Sequence, residues 1–128
     1  MKRLFTPALT LFSGIAIGAV AVHSLHAQAK PPGYYIAEIT VKDQDGYMKE
    51  FVPPATKSFQ DQAGKFLVRG GKTVATQGAA PAPRVVVIQF DSLDKAEAWW
   101  NSPAQKAAQA IGDKYASFRS FLVEGLAQ

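Results

Sequence analysis

The chain reads as an α+β domain of ferredoxin-like β-α-β-β-α-β order, a four-stranded antiparallel sheet with two helices on one face. Three observations predict it. Runs rich in β-branched and aromatic residues occur at 34–41, 65–69, 84–90 and 116–124. Apolar residues at helical spacing lie between the first and second runs and between the third and fourth. Only a loop of Gly, Ala and Pro separates the second run from the third, and the chain has no internal repeat.

Each element has a local cause. Tyr34 to Val41 forms the first strand after a short linker, residues 30–33. Asp43 or Asp45 caps a helix starting near Gly46, in which Tyr47, Met48, Phe51, Val52, Ala55 and Phe59 recur at helical spacing. Pro53-Pro54 interrupts that pattern, because proline removes a hydrogen bond and clashes one turn back; a kink or two short helices is expected. Gly64 closes the helix. Lys65 to Arg69 is the second strand, bent or bulged at Gly70-Gly71, with Lys72 to Thr76 as its continuation. Arg84 to Phe90 carries the most continuous apolar run and belongs at the sheet centre. Ser92 or Asp94 caps the next helix, and Ser102-Pro103 restarts it through Ile111, serine as cap and proline in the first turn. Ala116 to Glu124 is the last strand.

Residues 1–29 have the three-part form of a secretory signal: Lys2 and Arg3, an apolar run from Leu4 to Val22, and Ala27-Gln28-Ala29 in small-x-small form. The favoured cut follows Ala29, with Ala27 as the alternative. An uncleaved anchor is the competing reading, since the run approaches the ~20 residues that span a bilayer. The expected domain is 34–125 and its expected location periplasmic or secreted, with no stable membrane insertion after cleavage. The leader holds two of the 14 Lys and Arg and none of the 10 Asp and Glu, so the net charge falls from +4 to +2 for residues 30–128. Without a basic cluster, that charge points to no nucleic acid partner. Both histidines, His23 and His26, lie in the leader, and the chain has no cysteine. Residues 30–128 therefore exclude disulfides, thiolate or imidazole metal and haem ligation, and nucleophilic catalysis through Cys or His. No cofactor is expected. Gly70-Gly71 lacks the spacing of a phosphate loop, and Asp43 and Asp45 lack the rest of a calcium loop.

The strands are apolar on both faces. Tyr35, Ala37, Ile39 and Val41 point one way, and Tyr34, Ile36, Glu38 and Thr40 the other. Helices on one side leave the second face uncovered, and a two-fold homodimer joined sheet to sheet is the expected remedy.

The segments 64–71, 84–92 and Ala98-Trp99-Trp100-Asn101-Ser102-Pro103, with the closing Val123-Glu124-Gly125, resemble the domain of unknown function 1330 family from about Tyr34 to Gly125. The resemblance implies membership of the dimeric α/β-barrel superfamily, which spans cofactor-independent monooxygenases, haem-degrading enzymes, isomerases and modules without known activity. It implies no settled reaction. Members commonly carry Ser-Pro-Glu-Tyr-Gln where this chain has Ser102-Pro103-Ala104-Gln105-Lys106, Glu where it has Gln89, and Pro where it has Asp91.

The candidate ligand-binding residues are Glu38, Arg69, Gln89, Tyr34, Arg84 and Trp99. Glu38, Arg69 and Gln89 stand on three strands; facing one way, they form a polar pocket for a small carboxylate or enol, or else a structural ion pair. Arg84 guards a pocket mouth or is a solvated strand end. Tyr34 and Tyr35 contact a ligand or belong to the core. Trp99 and Trp100 are adjacent and cannot share a helix face, so one packs inward and the other reaches a pocket rim or interface. Lys49, Lys57 and Lys106 read as solvated helix faces. Three functions stay open: a small-molecule binding module with a sheet-facing cavity, a cofactor-independent oxygenase- or isomerase-type enzyme using Glu38, Arg69 and Tyr34, and a structural dimer that takes a protein partner on an edge strand. A cavity of roughly a few hundred Å³ with a raised Glu38 pKa favours the enzyme; one filled by Phe and Trp favours the structural dimer.

Overall fold

The computed structural model describes residues 30–128. The expectations of a signal peptide, its cleavage point and an anchor fall on residues 1–29, outside the described residues. Of the expected 30–33 linker, Pro32 is buried and Gly33 already belongs to the first strand.

The strands are β1 (Gly33–Val41), β2 (Lys65–Arg69), β3 (Arg84–Phe90) and β4 (Ala116–Glu124). They form one sheet in the order β2-β3-β1-β4, every neighbouring pair antiparallel. With both crossovers helical, this is the expected ferredoxin-like α+β fold, and β3 is an inner strand as its apolar run requires.

Neither crossover is a single helix. The first runs through α1 (Gln44–Gly46), a π-helical turn (Tyr47–Phe51) and α2 (Val52–Gln60). Asp43 is the cap, its carboxylate accepting from the Gly46 N–H at 3.1 Å. Pro53 and Pro54 occupy the start of α2, where a missing N–H costs least. Ahead of them the Val52 N–H bonds five residues back, to the Tyr47 carbonyl. The expected kink is thus a π turn, and it buries both Tyr47 and Phe51 with ring centroids 5.2 Å apart. The second crossover is α3 (Leu93–Trp100) and α4 (Pro103–Gly112). Ser92 accepts from the Lys95 N–H and Ser102 from the Gln105 N–H, as the capping pattern predicts.

Two local expectations are corrected. The left-handed residue after α2 is Ala63 (φ 62°), not Gly64. Gly64 is needed for a different reason: a Cβ there would sit 2.7 Å from the Phe90 ring. Residues 72–76 do not extend β2. Gly70 (φ 66°) makes the last ladder bond, to the Val85 carbonyl at 2.8 Å. Beyond it the partner strand has ended, because β3 begins only at Arg84.

The core lies between the sheet and the helices. Tyr35, Ala37 and Ile39 of β1 meet Val86, Ile88 and Phe90 of β3 beneath Trp99, which is 2% exposed. The Trp99 indole stands edge-on to Tyr35 at 5.0 Å and stacks on Phe90 at 5.1 Å. Such pairs add about 0.5–1.5 kcal/mol each beyond the area they bury. No helix among the described residues is long and apolar enough to cross a membrane.

Candidate functional site

The helix-covered side of the sheet holds a cavity of about 70 Å³, room for roughly five waters or a small organic molecule. Phe51, Phe59, Phe66, Trp99 and Phe118 give it aromatic walls. Its polar lining is Tyr47, Thr56, Arg69, Arg84, Gln105 and Gln109; no lining residue is a carboxylate. The cavity is therefore apolar, positively charged and rich in hydrogen-bond donors.

Arg84 reaches this cavity through strand parity. It pairs with Ile39 and shares a face with Val86, Ile88 and Phe90. Its guanidinium carbon lies 5.6 Å from the centre of the Tyr47 ring. Its Nη1 packs on Gly70, where a Cβ would stand 2.6 Å away, so glycine there serves both the left-handed turn and the guanidinium. Arg84 Nε is buried and has no hydrogen-bond partner. Tyr47 is 2% exposed. Burial pushes its phenol pKa up, and the Arg84 charge and hydrogen bonding only partly offset this; the hydroxyl is a neutral donor at neutral pH. Tyr35, also lining the cavity, is likewise pushed up by burial, with a hydrogen bond to Ser120 opposing.

Arg69 joins Arg84 because of an irregularity. Phe66 pairs with Ile88 and Val68 with Val87, so Leu67 is an extra residue in β2. The insertion reverses parity beyond it and turns Arg69, opposite Val86, to the helix side. There its guanidinium lies 5.2 Å over the Phe66 ring.

The expected convergence of Glu38, Arg69 and Gln89 does not form. Glu38 stands on the open face opposite Arg119, whose Nη1 donates to it at 2.7 Å. The Ala82 N–H donates to its other oxygen at 3.0 Å. That backbone bond, chiefly, and Arg119 hold its carboxyl below the ordinary value of 4.5, opposite to what a general base near neutrality requires. Gln89 and Tyr34 are paired neighbours on the same open face; Tyr34 packs its ring on Gly125. Of the six sequence candidates, Arg69, Arg84 and Trp99 line the cavity, and Glu38, Gln89 and Tyr34 do not. Trp99 lines it as the inward tryptophan, while Trp100 is half-buried, stacking on Tyr35 at 5.7 Å with Lys106 Nζ 4.7 Å from its ring centre.

Sequence reasoning missed Tyr47, Gln105 and Gln109 as lining residues and Ser58 behind them. Ser58 accepts from Trp99 Nε1 at 3.0 Å and donates its one proton to the Ala55 carbonyl (2.7 Å) or to Gln105 Oε1 (2.9 Å). Gln105 falls where the chain departs from the Ser-Pro-Glu-Tyr-Gln pattern. That departure was its available signal; Tyr47 offered only its helical spacing. Among the described residues, no cluster of His, Cys, Asp and Glu suits a metal ion.

The model of the Domain of unknown function (DUF1330) matches residues 32–126. The chain belongs to this family. No curated protein matches it. Solved structures share its fold at low identity. A protein of unknown function from Rhodopseudomonas palustris is 11% identical, with a TM-score of 0.58 over 83% of this chain and 92% of that one. SnoaB, a cofactor-independent oxygenase from Streptomyces nogalater, is 12% identical, with a TM-score of 0.55 over 77% of this chain and 96% of that one.

Proposed function

We propose that this DUF1330 protein is an exported homodimer that binds one small organic molecule per subunit, in the cavity between sheet and helices. The observation that carries the reading is the cavity itself: it is aromatic on most sides and lined by two arginines without a facing carboxylate. Arg84 is half-buried there with its Nε covered and unpartnered, and covering part of a charged group without a partner costs stability. The site is distinct from the open sheet face, which is left for the second copy. Export rests on the form of residues 1–29, and N-terminal sequencing of the protein recovered from its host should begin at Lys30.

The observations favour binding over proton-transfer catalysis. No Asp, Glu or His lines the cavity, so a reaction there has no strong protein base and must use a substrate that ionises by itself. One protein of like fold is described as a cofactor-independent oxygenase; in a reaction of that kind here, the lining would stabilise a substrate oxyanion and the substrate would pass its electrons to O2. The test is a melting-temperature screen of the purified protein with small ring compounds, neutral and charged, repeated on Ala55→Trp, which fills the cavity. Stabilisation of the wild type that Ala55→Trp abolishes supports the reading. Stabilisation by none of them, or equal stabilisation of both proteins, contradicts it.

A further inference from the structure

We infer that the cavity takes its ligand as a carboxylate, gripped by the Nε–Nη2 edge of Arg84 and by the Tyr47 hydroxyl. The inference rests on the binding reading above and adds the charge of the ligand and the groups that read it.

The unpartnered Nε is the starting point. Buried polar groups in native proteins nearly always have a partner, and one that lacks it calls for an explanation, a bound group being one. The guanidinium presents two forks; Nη1, in one of them, lies beside Gly70, and Nε, in the other, is covered, so that a ligand using it must displace its neighbours. The second fork, Nε with Nη2, is the two-donor edge that matches the two oxygens of a carboxylate. Arg69 adds a second positive charge to the same lining, with no acidic residue there to neutralise either. Glu38, the carboxylate that the sequence suggested for this role, is held on the opposite face by Arg119 and the Ala82 N–H. Tyr47 faces the same space beside Arg84. Its proton stays on the oxygen at neutral pH, which makes it a donor to an anion rather than a base.

The rest of the lining sets the ligand's other end. Phe51, Phe59, Phe66, Phe118 and Trp99 offer no charge partner, and about 70 Å³ admits a few carbon atoms or part of one ring, the rest of a benzoate lying toward the open side of the pocket. A small unsaturated or aromatic acid satisfies both halves. A neutral ligand would leave the buried Arg84 Nε without an ionic partner.

Two matched pairs test this by calorimetric titration of the purified protein: benzoate against benzamide, and crotonate against crotonamide. The acids should bind at least tenfold more tightly than their amides, because hydrogen bonds to charged groups are worth about 1.5–3 kcal/mol, or roughly 10- to 150-fold. Arg84→Gln should remove that advantage. Arg84→Lys should remove most of it, since lysine keeps the charge and loses the fork. Tyr47→Phe should weaken the acids several-fold and leave the amides within twofold; it also serves if the Arg84 variants do not fold. Acids and amides binding equally, at a site that Ala55→Trp closes, would overturn the carboxylate inference while leaving the binding reading intact. A loss in Arg84→Gln that is equal for acid and amide would also overturn it, showing Arg84 to be a packing residue. Binding of neither class would count against both readings.

Discussion

Ser58 shows how one hydroxyl holds the wall of the site. It joins the Trp99 indole N–H, the Ala55 carbonyl and the Gln105 side chain in a place closed to water. Ser58→Ala leaves the indole N–H without its acceptor and should destabilise the protein by about 1–3 kcal/mol, measured by urea unfolding; a change under a few tenths of a kcal/mol would show that the network carries no weight. Glu38 gives a pH prediction. Its pKa is lowered in the folded protein, so its contribution is present at neutral pH and disappears as pH falls through and below the ordinary value of 4.5. Glu38→Ala should melt below the wild type at pH 7, and the gap between the two curves should close as pH falls below 4.5 and through the lowered folded-state value. A gap that persists in acid would contradict the carboxylate's role in holding Ala82. At this scale the sequence was half legible. Alternation alone puts Arg84 on the face of Val86, Ile88 and Phe90. It cannot say that Ile39 lies opposite or that Tyr47 lies above, since both depend on register and helix placement.

Two irregular elements aim the site, and both are departures from regular ladders. The π turn brings Tyr47 and Phe51 to the sheet ahead of Pro53-Pro54, and the extra residue at Leu67 swings Arg69 to the cavity side. The prolines made a break in the first helix legible, though not its form. The β2 irregularity left no such mark: Lys65 to Arg69 reads as a regular strand, and only its pairing with β3 reveals the insertion. This is why Arg69 was expected beside Glu38 and Gln89. Deleting Leu67 should restore regular pairing and keep Arg69 opposite Val86 on the cavity side, because the residues flanking the insertion keep their partners. The expected result is benzoate binding retained with a cooperative melt; lost affinity in a protein that still melts cooperatively would mean that the irregularity itself shapes the site. By contrast, the serine caps and the strand limits, apart from the expected continuation of β2 over 72–76, were readable to within a residue, because alternation and capping are local chemistry.

For the whole molecule, the helix-free face of the sheet is the main unanswered surface of a single chain. Phe121 is 47% exposed and Val123 40%, opposite Ile36 and Tyr34 of β1, and Val85 and Val87 continue the apolar patch across β3. This patch was legible from apolar residues on both faces of each strand, and it underlies the proposed homodimer. Phe121→Arg should convert a two-chain species to a single chain in light scattering while the cavity ligand still binds, because the two surfaces lie on opposite faces of the sheet. A wild type that is already one chain at high concentration would contradict the dimer. The cavity was not legible as a place: the sequence pointed to a sheet-facing pocket of Glu38, Arg69 and Gln89, whereas the arginines and aromatic walls meet under the helices. The most direct test of the central claim is to map a benzoate titration by NMR amide and arginine Nε–H shifts. The account predicts changes centred on Tyr47, Arg69 and the Arg84 Nε–H, absent with benzamide. Changes centred instead on Tyr34, Val87 and Phe121 would contradict it and return the site to the open face of the sheet.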